Sequence, residues 1–147
     1  MVLSYCGRVA TDAPKPDGAG LARAWLESSP FVAQLGLQLE ALAPGTARMR
    51  LPYSESLPTM GDVVHGGAIS SLIDTTAAAA AWSGAEVPEK IRASTVGFTV
   101  DFLSPARGQD VVAEARVLRR GAVTFLAVDV TGADGKAVAT ALVTYRL

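Results

Sequence analysis

The chain has 147 residues, half of them apolar, with a formal net charge of −1 and a mean hydropathy of +0.30. That length makes one domain with a real core, and the near-neutral charge without a basic block excludes a nucleic-acid footprint. A lone cysteine, Cys6, excludes an internal disulfide framework and fits a reducing, cytoplasmic setting, while the apolar surplus calls for surface covered by another subunit.

Residues 1–18 hold prolines and glycines without a hydrophobic period or a targeting pattern, and read as a flexible arm ahead of a single domain, 19–147. Residues 19–28 place Leu21, Trp25 and Leu26 on one side of a short helix, which Ser28, Ser29 and Pro30 stop. The period then drops to two. Leu35, Leu37, Leu39 and Ala41 alternate with Gly36, Gln38, Glu40 and Leu42. After Ala43-Pro44-Gly45-Thr46, Ala47, Met49 and Leu51 alternate with Arg48 and Arg50, so a hairpin with one buried face is expected. Ser54 to Val64 reads as a loop.

Residues 65–83, HGGAISSLIDTTAAAAAWS, organise the rest. Between His65 and Glu86 the only charged residue is Asp74, and Ala77 to Ala81 are five consecutive alanines. A helix that is apolar nearly all round is normally buried. At roughly 27 Å it would fill a domain, yet it lacks the uncharged run of a membrane span. A sheet is the expected wrapper. Ser83-Gly84 ends the helix. Strands follow over 91–103, 110–118, 123–131 and 137–146. In the first of these, Val96, Phe98, Val100 and Phe102 fall on one face and Thr95 on the other. Asp134-Gly135 is a hairpin signal. One long helix with two strands before it and four after it is an α+β layout with a largely antiparallel sheet of about six strands.

Two features of the central stretch can support chemistry. Gly66 and Gly67 sit where a helix start leaves backbone N–H groups unpaired. They either make a tight loop-to-helix turn or let a ligand carbonyl reach those groups as in an oxyanion hole. Asp74 is a candidate base or nucleophile; the bland reading has it satisfied by Ser70, Ser71 or Thr75. Gly66 and Asp74 are eight residues apart, roughly 12 Å along one helix, whereas reacting groups must meet within about 3–3.5 Å. Two antiparallel helices from two chains would bring Gly66 of one opposite Asp74 of the other, so an obligate homodimer with shared sites is expected. His65, the only histidine, and Cys6 are too few for a zinc site. No Gly-x-Ser-x-Gly elbow accompanies His65, which reads first as a cap or packing residue.

His65-Gly66-Gly67, Asp74 nine residues on, and Asp101-Phe102-Leu103-Ser104-Pro105-Ala106 together resemble the hotdog-fold thioesterases. The resemblance is closest to the phenylacetate-degradation type, related to 4-hydroxybenzoyl-CoA thioesterases, and covers roughly residues 33–147. It implies an acyl-CoA thioesterase with Asp74, Gly66 and Thr95 as catalytic residues, and His65, Gly67 and Thr59 contacting substrate. Thr95 stands where such enzymes carry a small hydroxyl residue; Thr59 stands where they often have Asn, and Gly61 sits one place off the usual glycine. Arg107, Arg119 and Arg120 are placed on turns, where they either meet the phosphates of coenzyme A or are simply solvated. The resemblance implies no metal or redox cofactor, coenzyme A only as part of the substrate, a dimer and a tetramer built from it, and no membrane. Two other readings stay open: a hydratase or dehydratase on the same fold, against which Met60 breaks the Asp-x4-His pattern, and a non-catalytic acyl-CoA-binding module.

Overall fold

The computed structural model describes residues 17–147. The expected arm, 1–18, and Cys6 lie outside them, except that Asp17 and Gly18 are docked. The Asp17 carboxylate caps helix α1 (Gly18–Ser28) by accepting from Gly20 N–H, and Gly18 N–H donates to Ala85 O. Of the side expected to be buried, Leu26 is buried, whereas Trp25 is exposed and Ala22 takes the inner place.

Pro30 does not merely stop α1. It opens a second helix, α2 (Pro30–Leu35), because proline is pre-set for a first helical position, and the Ser29 hydroxyl accepts from Val32 N–H. Gly36, at φ +68°, closes α2 in the left-handed conformation. The alternation of Leu35 and Leu37 therefore belongs to a helix end and a linker, and strand β1 (Gln38–Ala43) starts three residues later than Leu35. The hairpin to β2 (Thr46–Leu51) is as expected, with Ala47, Met49 and Leu51 buried. The loop after it contains a small ribbon, β3 (Pro58–Met60) with β4 (Val63–Val64), that the sequence pattern did not disclose.

Helix α3 (Gly66–Trp82) is the buried rod, with every residue from Thr75 to Trp82 buried. After it come β5 (Ser94–Phe102), β6 (Val111–Arg119), β7 (Thr124–Gly132) and β8 (Ala137–Arg146). One six-stranded antiparallel sheet runs β1-β2-β6-β7-β8-β5 and curls around α3, so β5 is an edge strand. Alanines at 77–81 give the helix a thin waist, which lets a strongly curved sheet approach it closely.

The far end of α3 is pinned to the first hairpin by Ser83. Its hydroxyl, fully buried, donates toward Ala43 O and Ala80 O and accepts from Gly45 N–H at 3.1 Å. Ser83→Ala should cost about 1–3 kcal/mol, because buried polar groups lose their partner. Thermal melting should show a fall of several degrees in Tm with an unchanged circular dichroism spectrum; an unshifted Tm would show that the pin contributes nothing.

Candidate active site

The start of α3 is built by three backbone ties. His65 N–H donates to Leu57 O, Val64 N–H to Ala106 O, and Gly108 N–H to Asp62 O. An Arg107–Asp62 ion pair closes the same corner at 3.0 Å. His65 is the N-cap, and its Nδ1 accepts from Gly67 N–H at 2.8 Å. Ala68 and Ile69 N–H both turn back to His65 O. Gly66 N–H is the remaining amide of that first turn, and among the described residues it has no acceptor.

The two glycines answer to different neighbours. A Cβ on Gly67 would lie 2.9 Å from His65 Nδ1, so a side chain there would break the cap. A Cβ on Gly66 would lie 3.0 Å from the rim of the Phe102 ring. Gly66 and Phe102 line an open cleft of about 440 Å³, which Thr59, Val63 and Ser104 also border. The cleft therefore offers one unpaired amide at the positive end of a helix, in a mostly apolar setting that the Thr59 and Ser104 hydroxyls border. A hollow of about 400 Å³ lies over β1, β2 and β6, but its Arg48, Glu114, Arg116 and Asp129 side chains are already in ion pairs.

Asp74 sits two turns further along α3, half-buried. Its Oδ1 accepts from the Thr95 hydroxyl at 2.5 Å, not from Ser70, Ser71 or Thr75. Ser71 instead donates to Gly67 O, and Thr75 is buried. The contact with Thr95 corrects the expected facing of β5. Strict alternation puts Thr95 opposite Phe98, Val100 and Phe102. The ladder slips between Thr95 and Gly97, so that Thr95 pairs with Tyr145 while Phe98, Val100 and Phe102 pair with Val143, Ala141 and Ala139. Tyr145, Val143, Ala141 and Ala139 are all buried on the helix-facing side of β8. The bulge at Val96 thus turns Thr95 inward with the aromatics, as an extra residue in one strand must.

Tyr145 extends the site beyond what the sequence reading assigned. Burial raises the pKa of its phenol above the usual tyrosine range. The Trp82 side chain beside it pulls it down in part, and the nearby Asp74 charge raises it. The phenol therefore stays neutral beside Asp74. Alternation along 137–146 places Tyr145 on the face of Ala139, Ala141 and Val143, and that was the available signal.

The structure brings Thr59 to Gly66 and Thr95 to Asp74, but it does not bring these two pairs together within one chain. Their members on α3, Gly66 and Asp74, are eight residues apart, or about 12 Å. The three arginines also separate. Arg107 stands at the start of α3, while Arg119, exposed, lies toward its end. Arg120 has a task other than the expected phosphate contact: its guanidinium donates to Ala81 O at 2.6 Å and to Ser83 O at 2.8 Å, capping the negative end of the helix. Among the described residues no group of three or more His, Cys, Asp or Glu side chains is placed to hold a metal ion, and no helix is long and apolar enough to cross a membrane.

Replacing Thr95 with Val removes the hydroxyl while keeping the shape. If Asp74 works in catalysis, a hydrogen bond to a charged group worth about 1.5–3 kcal/mol should appear as a loss in kcat/KM of about 10–100-fold, with Thr95→Ser near wild type. Equal activity in Val and Ser variants would reduce Thr95 to a packing residue.

Residues 61–139 match the thioesterase superfamily. A provisionally named esterase of Halobacterium salinarum is 36% identical over 115 residues, 76% of this chain and 75% of that protein. A thioesterase family protein of Silicibacter pomeroyi superposes with a TM-score of 0.80 at 29% identity, covering 88% of this chain and 96% of the other. The PaaI protein of the E. coli phenylacetic acid degradation operon shares the fold, with a TM-score of 0.76 at 24% identity, covering 88% and 92% of the two chains.

Proposed function

Because this chain belongs to the thioesterase superfamily and has its hotdog fold, we propose that it hydrolyses acyl-CoA thioesters at a site shared between two subunits. The observation that carries this reading is the division of labour along α3. An amide without an acceptor stands at Gly66, and a carboxylate held by Thr95 stands two turns away. In the proposed reaction Gly66 N–H of one subunit donates to the thioester carbonyl oxygen, which becomes the oxyanion. Asp74 of the other subunit takes a proton from water as the water oxygen attacks the carbonyl carbon. Collapse breaks the carbon–sulfur bond, and the coenzyme A thiolate leaves and takes up a proton. In direct attack an Asp74 carboxylate oxygen instead bonds the carbonyl carbon as the thiolate leaves and takes up a proton, and water then hydrolyses the resulting anhydride to the free acid and the Asp74 carboxylate.

Two features support the dimer. Pairing Gly66 with the partner's Asp74 under two-fold symmetry puts the crossing near Ser70. Gly66, Gly67, Ser70 and Ser71 there are small enough for two helices to approach closely. Beside this strip, the edge strand β5 leaves Phe98 39% and Phe102 52% exposed, and an unpaired edge with apolar side chains invites a second copy. A dimer of such dimers, in the cytoplasm where acyl-CoA is found, completes the reading. Thiol release from a panel of acyl-CoAs, followed with a chromogenic disulfide, tests it. Cleavage of at least one member is expected; tight binding without release would identify a binding module instead, and hydration of crotonyl-CoA a hydratase.

A further inference from the structure

Beyond Asp74 the chain forms a second apolar space, open on one side, and its walls come from residues to which the proposed reaction gives no chemical step. Ala22 and Trp25 of α1, Trp82 at the end of α3, Ile91, Ala93 and Tyr145 line a slot of about 210 Å³. The slot begins next to the candidate chemistry. Tyr145 is the cross-strand partner of Thr95, Ala93 is two residues ahead of Thr95, and the Tyr145 phenol feels the Asp74 charge. Trp82 and Ala22 are buried, while Trp25 and Ile91 are 39% and 51% exposed and form the outer rim. Ala22, Trp25 and Tyr145 lie outside residues 61–139, while Trp82, Ile91 and Ala93 lie inside, so the superfamily match spans only part of the slot's wall.

We propose that this slot receives the acyl group, and that Trp25 and Trp82 set an upper limit on its size. The proposal rests on the thioester hydrolase reading for the identity of the guest. An apolar cavity of about 150 Å³ holds one benzene molecule, so the slot takes a single ring on a short linker or an aliphatic chain of equal bulk. A long fatty acyl chain would have to pass Trp25 into water. The lining is apolar apart from the Tyr145 phenol and the Trp82 N–H. The acyl group it fits is accordingly uncharged.

The protein's two tryptophans are Trp25 and Trp82, and both line the slot, so tryptophan emission reports its occupancy without turnover. The experiment titrates wild type and Ala93→Leu with 3-phenylpropanamide. It then measures kcat/KM of both, and of Trp25→Ala, on acetyl-, 3-phenylpropanoyl- and hexadecanoyl-CoA. The amide should shift the emission saturably, and Ala93→Leu should weaken its binding about tenfold or more, since each added methylene in a filled pocket is worth tenfold or above. The same variant should lose 3-phenylpropanoyl-CoA turnover by a similar factor while keeping acetyl-CoA turnover, and Trp25→Ala should raise the hexadecanoyl rate relative to the others. Turnover with an acyl preference that neither variant moves would overturn the slot and leave the hydrolase reading standing. Amide binding that Ala93→Leu abolishes, with no thioester cleaved by wild type, would do the reverse. No emission change together with no turnover would overturn both.

Discussion

Asp74→Asn is expected to lower kcat/KM for thioester cleavage by about 10²–10⁴-fold, the range that a positioned acid–base group supplies, and to leave the oligomer intact. The substitution keeps the shape of the side chain and an oxygen that can still accept from the Thr95 hydroxyl, so the packing of α3 against β5 should survive. What it removes is the capacity to take a proton from water or to attack carbon. Steady-state thiol release, with sedimentation of the same preparation, checks both halves. A variant with full activity would remove Asp74 from the reaction; an inactive monomer would show that the carboxylate holds the dimer together instead. Single-turnover hydrolysis in ¹⁸O-labelled water separates the two roles of the carboxylate. Label appearing in Asp74 marks an anhydride that water opens at the aspartyl carbon, whereas label going only to the product acid shows that water attacks the acyl carbon, as general-base hydrolysis requires.

The second expectation concerns which chain supplies which group. Gly66→Val should be almost as damaging as loss of the base, by about 10²–10³-fold, the worth of one oxyanion donor. A branched side chain at that position meets the Phe102 ring, already 3.0 Å from a single added carbon, and fills the space from which a carbonyl would approach the amide. Unfolding Gly66→Val and Asp74→Asn together and refolding the mixture should restore about a quarter of wild-type activity. Half of the dimers are then mixed, and each mixed dimer holds one intact and one doubly impaired site. No recovery, with mixed dimers demonstrated by mass spectrometry, would mean that each chain works alone. The 12 Å between the two groups would then need another explanation.

The sequence by itself determined the parts whose physics is local. One buried rod, its small-residue waist, the Ala43-Pro44-Gly45-Thr46 hairpin and the ladder of strands after the rod all follow from hydrophobic period and turn chemistry, which a few neighbouring residues fix. Asp74 stood out for the same reason, as the single charge in a long apolar run. Tertiary structure decided what depends on partners far along the chain. Whether Thr95 faces Asp74 hangs on a one-residue slip against β8, and such a slip inverts a side chain's face without leaving a mark in the β5 pattern. Arg120 looks like any turn arginine until the end of α3, nearly forty residues earlier, arrives beneath it with two carbonyls to cap. The slot between α1 and Tyr145 joins the two ends of the chain, and no window of sequence contains both. Periodicity records which side of an element is apolar; only the packed fold fixes which groups then stand within reach of one another.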